Sequence, residues 1–195
     1  MLTGRASQAL AHSGSSLIEV LVTLVILAIG LLGVAGLQAK ISLAESESYQ
    51  RSQAVLILAD ITERMSANRF QAANYVVSGT VGTGDNLPAN CSGLTPGPAQ
   101  DLCQWSNALK GAGEQKAGTN VGGMMNAVGC ITQVQAPNPA LGVCTAGVYQ
   151  VSVAWQGVNP TAAPALVCGQ GLYGSNGAFR RVITAQVTVG TTSCY

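Results

Sequence analysis

Six cysteines, at positions 91, 103, 130, 144, 168 and 194, are the side chains of this 195-residue sequence best placed for covalent chemistry. None forms a Cys-x-x-Cys pair, and spacings of 12, 27, 14, 24 and 26 residues do not resemble the close ligand spacing of a structural zinc site. The only histidine, His12, lies near the N-terminus, so the rest of the chain has no imidazole for a Ser-His-Asp or Cys-His site or for a histidine-held metal. Val121-Gly122-Gly123 lacks the Lys-Ser/Thr that completes a phosphate-binding loop. Asp85, Asp101 and Glu114 read as solvated loop carboxylates. Neither an enzyme nor a cofactor is expected. An even cysteine count downstream of an apolar N-terminal segment points to disulfides formed in an oxidising compartment. Sequential pairing (Cys91–Cys103, Cys130–Cys144, Cys168–Cys194) is the simplest of many connectivities, each loop stabilising the fold by roughly 3 kcal/mol.

One further residue demands chemistry. Glu19 is the only charge in the apolar run from Leu17 to Leu37, which has 21 residues and is long enough as a helix to cross a bilayer. A backbone alone in lipid must be helical to satisfy its polar groups. The run is longer than the apolar core of a removable secretory signal and has no small-x-small cleavage site followed by a break. A carboxylate in such a helix is costly and usually has a partner. It either reaches the headgroups or pairs with a positive group on another chain. Gly30, Gly33 and Gly36 permit close helix approach or weaken the helix locally; glycine is also simply common in spanning helices.

From Gln38 to Arg69 there is neither proline nor glycine, and the helical pattern continues. Ala54, Leu58, Ile61 and Met65 form one apolar face, begun earlier by Ile41 and Ala44. Glu47 with Arg51 and Asp60 with Arg64 are spaced for i,i+4 ion pairs. After Tyr75 the character changes. Residues 76–81 favour a strand interrupted by Gly79, 82–100 read as a loop, 102–109 as a short helix or turn, and 111–127 as irregular. Residues 127–135, 147–155 and 181–189 have strand character, with the period of two strongest in Val151, Val153 and Trp155 and in residues 181–189. Trp105 and Trp155 are expected in the core. The expected fold is α+β: a long N-terminal helix packed on an antiparallel sheet of at least three strands in a disulfide-containing C-terminal domain.

Only 9% of residues are charged and the formal net charge is +1, which supplies no electrostatic drive toward nucleic acid.

The segment Gly14-Ser15-Ser16-Leu17-Ile18-Glu19-Val20, with the apolar helix after it, resembles the class III signal of type IV pilins and type II secretion pseudopilins. The resemblance implies a type IV pilin-like fold and cleavage after Gly14 by a prepilin peptidase. It also implies N-methylation of Ser15 and a role for Glu19 in neutralising a neighbouring subunit's terminal amine during assembly. Ser15 departs from the usual phenylalanine or methionine, and Gly36 stands where most major pilins have proline. The implied organisation is a leader over 1–14, a membrane and filament-core helix over 15–38, an amphipathic periplasmic half over 39–74 and a globular periplasmic domain over 75–195.

Cys103-Gln104-Trp105, residues 151–157 (VSVAWQG), Cys168 and Arg180-Arg181-Val182 resemble the PilV family of minor pilins, the type IV pilus modification proteins. That family implies assembly initiation, piliation, twitching motility and attachment. The implied partners are the major pilin, the minor pilins PilW, PilX, PilE and FimU/FimT-type proteins, and a PilY-type tip adhesin. The implied location is the inner membrane and then the pilus, near its tip. Two other functions fit the same signal: a type II secretion minor pseudopilin, and a binding module at the tip, for which Arg180 and Arg181 are a thin basis.

Overall fold

The computed structural model describes residues 16–191, apart from 114, 118, 121 and 141. By contacts the chain divides into two compact units, Met1–Ala44 and Glu45–Tyr195. Helix α1, Leu17–Ala67, contributes residues to both. In the first unit the described residues 16–44 are all exposed.

In the second unit α1 buries Gln50, Ala54, Leu58, Ile61 and Met65, a stripe at helical spacing. This is the face expected from the sequence, with Gln50 added; Ile41 and Ala44 are exposed instead. A 3₁₀ segment, Arg69–Tyr75, extends the helical region past the point where the apolar pattern fades. The following elements are β1 (Val81–Gly82), α2 (Pro98–Leu109), β2 (Gln115–Lys116), β3 (Thr119–Asn120), β4 (Val128–Gln135), β5 (Gly147–Gln156) and β6 (Arg180–Val189). The expected strand at 76–81 shrinks to two residues. Helix α2 starts before the expected 102, because Gly97 at φ 125° makes the entry turn and Pro98 occupies the first helical turn.

The main sheet is antiparallel, in the order β1-β4-β5-β6, and β2-β3 form a separate two-stranded ribbon. The central strand β5 is covered on both faces. Tyr149, Val151, Val153 and Trp155 join Ala54, Leu58, Ile61, Met65, Trp105 and Leu109 in the main core. On the other face Ala154 and Val128 lie under Cys168 and Tyr173. The alternation in β6 is likewise divided: Val187 and Val189 join the main core, while Val182 packs with the second cluster. Trp105 donates Nε1–H to the Ile57 carbonyl at 3.1 Å, joining α2 to α1.

Two disulfides are described, Cys91–Cys103 and Cys130–Cys168. The first is the expected pair. The second replaces Cys130–Cys144 and Cys168–Cys194, because the segment after β5 folds back over the sheet and brings Cys168 to β4 with a Cα separation of 5.8 Å. Cys144 is also disulfide-bonded; Cys194 lies outside the described residues.

The carboxylates also differ from expectation. Asp101 is buried in the first turn of α2. It accepts hydrogen bonds from Arg64 Nη1 (3.0 Å) and Asn68 Nδ2 (3.1 Å) and from the Tyr75 hydroxyl. Burial and the Asp101 carboxylate raise the Tyr75 hydroxyl to about 12. Asp85 accepts from Gly82 N–H (2.7 Å), Ser106 Oγ (2.8 Å), Leu87 N–H (3.1 Å) and Lys110 Nζ. Burial alone would raise the Asp85 pKa, but these bonds prevail and hold it below the ordinary carboxylate value. Both groups therefore organise the fold. Glu114 lies outside the described residues.

Asp60 and Arg64 form the expected i,i+4 pair at 3.0 Å. Glu47 does not pair with Arg51; its carboxylate meets Arg181 of β6 at 3.2 Å. Arg181 is held over the sheet and offers a partly buried partner, while Arg51 remains exposed.

Candidate functional site: the N-terminal helix

The start of α1 is set by Ser16, whose carbonyl accepts from Glu19 N–H (2.9 Å) and Val20 N–H (3.2 Å). Glu19 therefore sits in the first helical turn. Unpaired backbone N–H groups and the helix dipole favour a negative charge there. Its side chain is exposed and has no hydrogen bond or ion pair among the described residues. Thr23, the other polar side chain in the span, donates to the Val20 carbonyl at 2.8 Å, so its hydroxyl is satisfied within the helix. Glu19 is thus the polar side chain of residues 17–37 that has no partner among the described residues.

Gly30, Gly33 and Gly36 lie within continuous helix, and a Cβ built at any of them meets nothing within 4 Å. At about 100° per residue they occupy a strip about 120° wide. Nothing inside the subunit crowds these positions. Their small size creates a shallow strip on an apolar helix, suited to close approach by another helix. Gly14 and Ser15, the expected cleavage and methylation positions, lie outside the described residues.

α1 is the helix that is long and apolar enough to cross a membrane among the described residues. Those residues also contain no group of three His, Cys, Asp or Glu side chains arranged to hold a metal ion.

The arginines considered for ligand binding are engaged structurally. Arg180 is buried and donates to the carbonyls of Cys168 (2.8 Å), Pro164 (2.9 Å) and Leu166. Arg181 donates to Asn159 O (2.6 Å) and Thr161 Oγ1 (2.7 Å) as well as to Glu47. They secure the segment over the sheet and do not form an open basic stripe. The two arginines are adjacent in sequence, but consecutive strand residues face opposite sides.

The family model described as Prokaryotic N-terminal methylation motif matches residues 11–35, a stretch containing Gly14, Ser15, Glu19, Gly30 and Gly33. Searches of curated proteins and of solved structures return no significant match. The motif, the apolar membrane-spanning helix and the helix-on-sheet domain with its disulfides define a type IV pilin-like fold. The chain is a pilin- or pseudopilin-like structural module.

Proposed function

We propose that this chain is a PilV-like minor pilin that helps initiate type IV pilus assembly and so supports piliation, twitching motility and attachment. The observation carrying the proposal is Glu19, an unpaired carboxylate in the first turn of an otherwise uncharged membrane-length run. Cleavage after Gly14 would make it the fifth residue of the mature chain, four beyond the new amino group at Ser15. A carboxylate in that position gains more by pairing with the amine of a neighbouring subunit than by remaining alone near lipid. The apolar helix would hold the subunit in the inner membrane, with the disulfide domain in the periplasm, until its surface is buried among other pilin helices. The proposed partners are the prepilin peptidase, the major pilin, the minor pilins PilW, PilX, PilE and FimU/FimT-type proteins, and a PilY-type tip adhesin. The likeness at Cys103-Gln104-Trp105 and at residues 151–157 supports the PilV assignment over a secretion pseudopilin.

Deletion of the gene tests the role. Surface piliation and twitching should fall, and wild type but not Glu19→Ala should restore them. Normal piliation in the deletion strain, with no duplicate gene present, contradicts the proposal.

A further inference from the structure

β6 is an edge strand whose outer side is open over residues 182–188, while just before it the Thr161 N–H covers the Ala178 carbonyl at 2.8 Å. It pairs with β5 through ten consecutive residue pairs, with no shift in register. The Gly157 N–H to Phe179 O bond, 2.7 Å, extends that register by one step and sets its phase. Residues 181, 183, 185, 187 and 189 therefore exchange hydrogen bonds with β5. Val182, Thr184, Gln186 and Thr188 turn their N–H and C=O groups outward. These outward backbone groups have no partner among the described residues.

Natural sheets usually blunt such an edge with lysine, proline, a bulge or a covering segment. The opposite edge of this sheet has such devices: β1 pairs with Val128 and Gly129, Val77 N–H reaches the Ile131 carbonyl at 3.2 Å, and the register shifts between Gln133 and Gln135. Residues 182–189, Val-Ile-Thr-Ala-Gln-Val-Thr-Val, contain no charge and no proline. Ile183, Ala185, Val187 and Val189 border the main core, while Thr184, Gln186 and Thr188 are exposed on the other face. A strand added here would extend both the hydrogen-bond ladder and the core.

The start of β6 also specifies charge. A crevice of about 290 Å³ between α1 and the sheet is lined by Glu47, Ser48, Arg51, Trp155 and Arg181. Glu47 neutralises Arg181 at 3.2 Å. Arg51 has no carboxylate partner among the described residues and is exposed. Val55 and Leu56, 50% and 63% exposed, continue this side of the helix.

We propose that the free edge of β6 accepts an extended strand from a different polypeptide. The partner segment is about six to eight residues long, the ordinary length of a strand. It is apolar at alternate positions, uncharged along its middle, and carries a carboxylate at the end that reaches Arg51. The antiparallel register that overlaps β6 most fully with a second copy matches residue 184 with 186 and 182 with 188. It brings the region of Val189, Gly190 and Thr191 toward Arg181, and these residues offer no acidic side chain to Arg51. Charge complementarity thus favours a different chain. The open sheet edge offers this pairing whether or not the chain works in a pilus.

The test uses the full-length protein in its own cells, with the photoreactive residue benzoylphenylalanine replacing Thr188. Irradiation should join it to another polypeptide, with the cross-linked peptide lying in a neutral, alternating apolar segment that has an acidic end. Gln186→Pro deletes an outward N–H without removing a bond to β5, and should reduce the adduct roughly tenfold while the melting temperature stays near that of wild type. Gln186→Asn should retain the adduct. Gln186→Lys serves as the second blocking variant, since an edge lysine opposes strand addition without altering the backbone; Arg51→Glu should weaken the adduct by charge reversal. Four outcomes overturn the proposal: no adduct, an adduct only between two copies, cross-links to a segment of another character, or equal adduct in the folded blocking variants. Loss of this adduct would leave the Glu19 piliation result unaffected, so the two readings fail separately.

Discussion

The Trp105 indole lies directly against the backbone of Gly129: a Cβ built on that glycine would fall 2.1 Å from Trp105 Cη2. The same indole donates to the Ile57 carbonyl at 3.1 Å. One side chain therefore spans from α1 to β4, and the strand can approach only because position 129 has no side chain. Gly129→Ala should destabilise the domain by about 3 kcal/mol through overpacking. Trp105→Phe should relieve the clash in the double variant while losing the bond to Ile57. Urea denaturation of the two single variants and the pair measures this coupling; strict additivity would contradict it.

Cys130–Cys168 closes a longer loop than Cys91–Cys103, with sequence separations of 38 and 12. Chain entropy assigns the two bonds about 4 and about 3 kcal/mol. Replacing both cysteines of the longer loop with serine should therefore cost more stability than replacing those of the shorter one. Peptide mapping without reductant should recover Cys130 joined to Cys168; recovery of Cys130 joined to Cys144 would refute the path drawn for residues 157–179.

Arg180 is a buried cation that holds the carbonyls of Pro164, Leu166 and Cys168 together. Lysine keeps the charge but lacks the planar fork needed to reach all three. Arg180→Lys should cost about 1–3 kcal/mol, the range for leaving buried polar groups unsatisfied. Faster amide exchange should be concentrated in residues 164–173. Unchanged exchange there would show that the guanidinium does not secure this cover.

Asp85 and Tyr75 both contribute to the pH dependence of stability, Tyr75 alongside Tyr173, whose hydroxyl burial also raises. Asp85 is held below its ordinary value of 3.8, so its contribution is present above that pH and lost as acid protonates the folded carboxylate. Tyr75 is raised from 10.0 to about 12, so its contribution is present below pH 10 and lost as the pH rises through that interval. Asp85→Asn should flatten the acid side of the denaturation profile, and Tyr75→Phe the alkaline side. Profiles parallel to wild type on those sides would contradict the assigned contacts.

The long helix and the three long strands were legible because each repeats a local rule: the spacing of Ala54, Leu58, Ile61 and Met65 is helical, and the alternation in residues 181–189 is that of a strand. Trp105 and Trp155 follow from the same burial logic. What escaped depends on chain path. Cys130 finds Cys168 only after residues 157–179 fold back over β5. Glu47 had an acceptable neighbour in Arg51, but Arg181 arrives from 134 residues away. The location of Asp101 had a partial signal, Gly97-Pro98 at a helix start, whereas its bonds to Tyr75 and Arg64 require three separate elements to meet. Glu19 stands out in the sequence for the opposite reason: the apolar residues immediately around it single out its charge.

Mass analysis of the N-terminal peptide from sheared, purified pili reports whether this subunit is processed and enters the filament. The expected result is a chain present in the filament fraction that begins at Ser15 and carries one methyl group on its terminal amine. A chain that still begins at Met1, or that stays entirely in the membrane fraction of well-piliated cells, would contradict it.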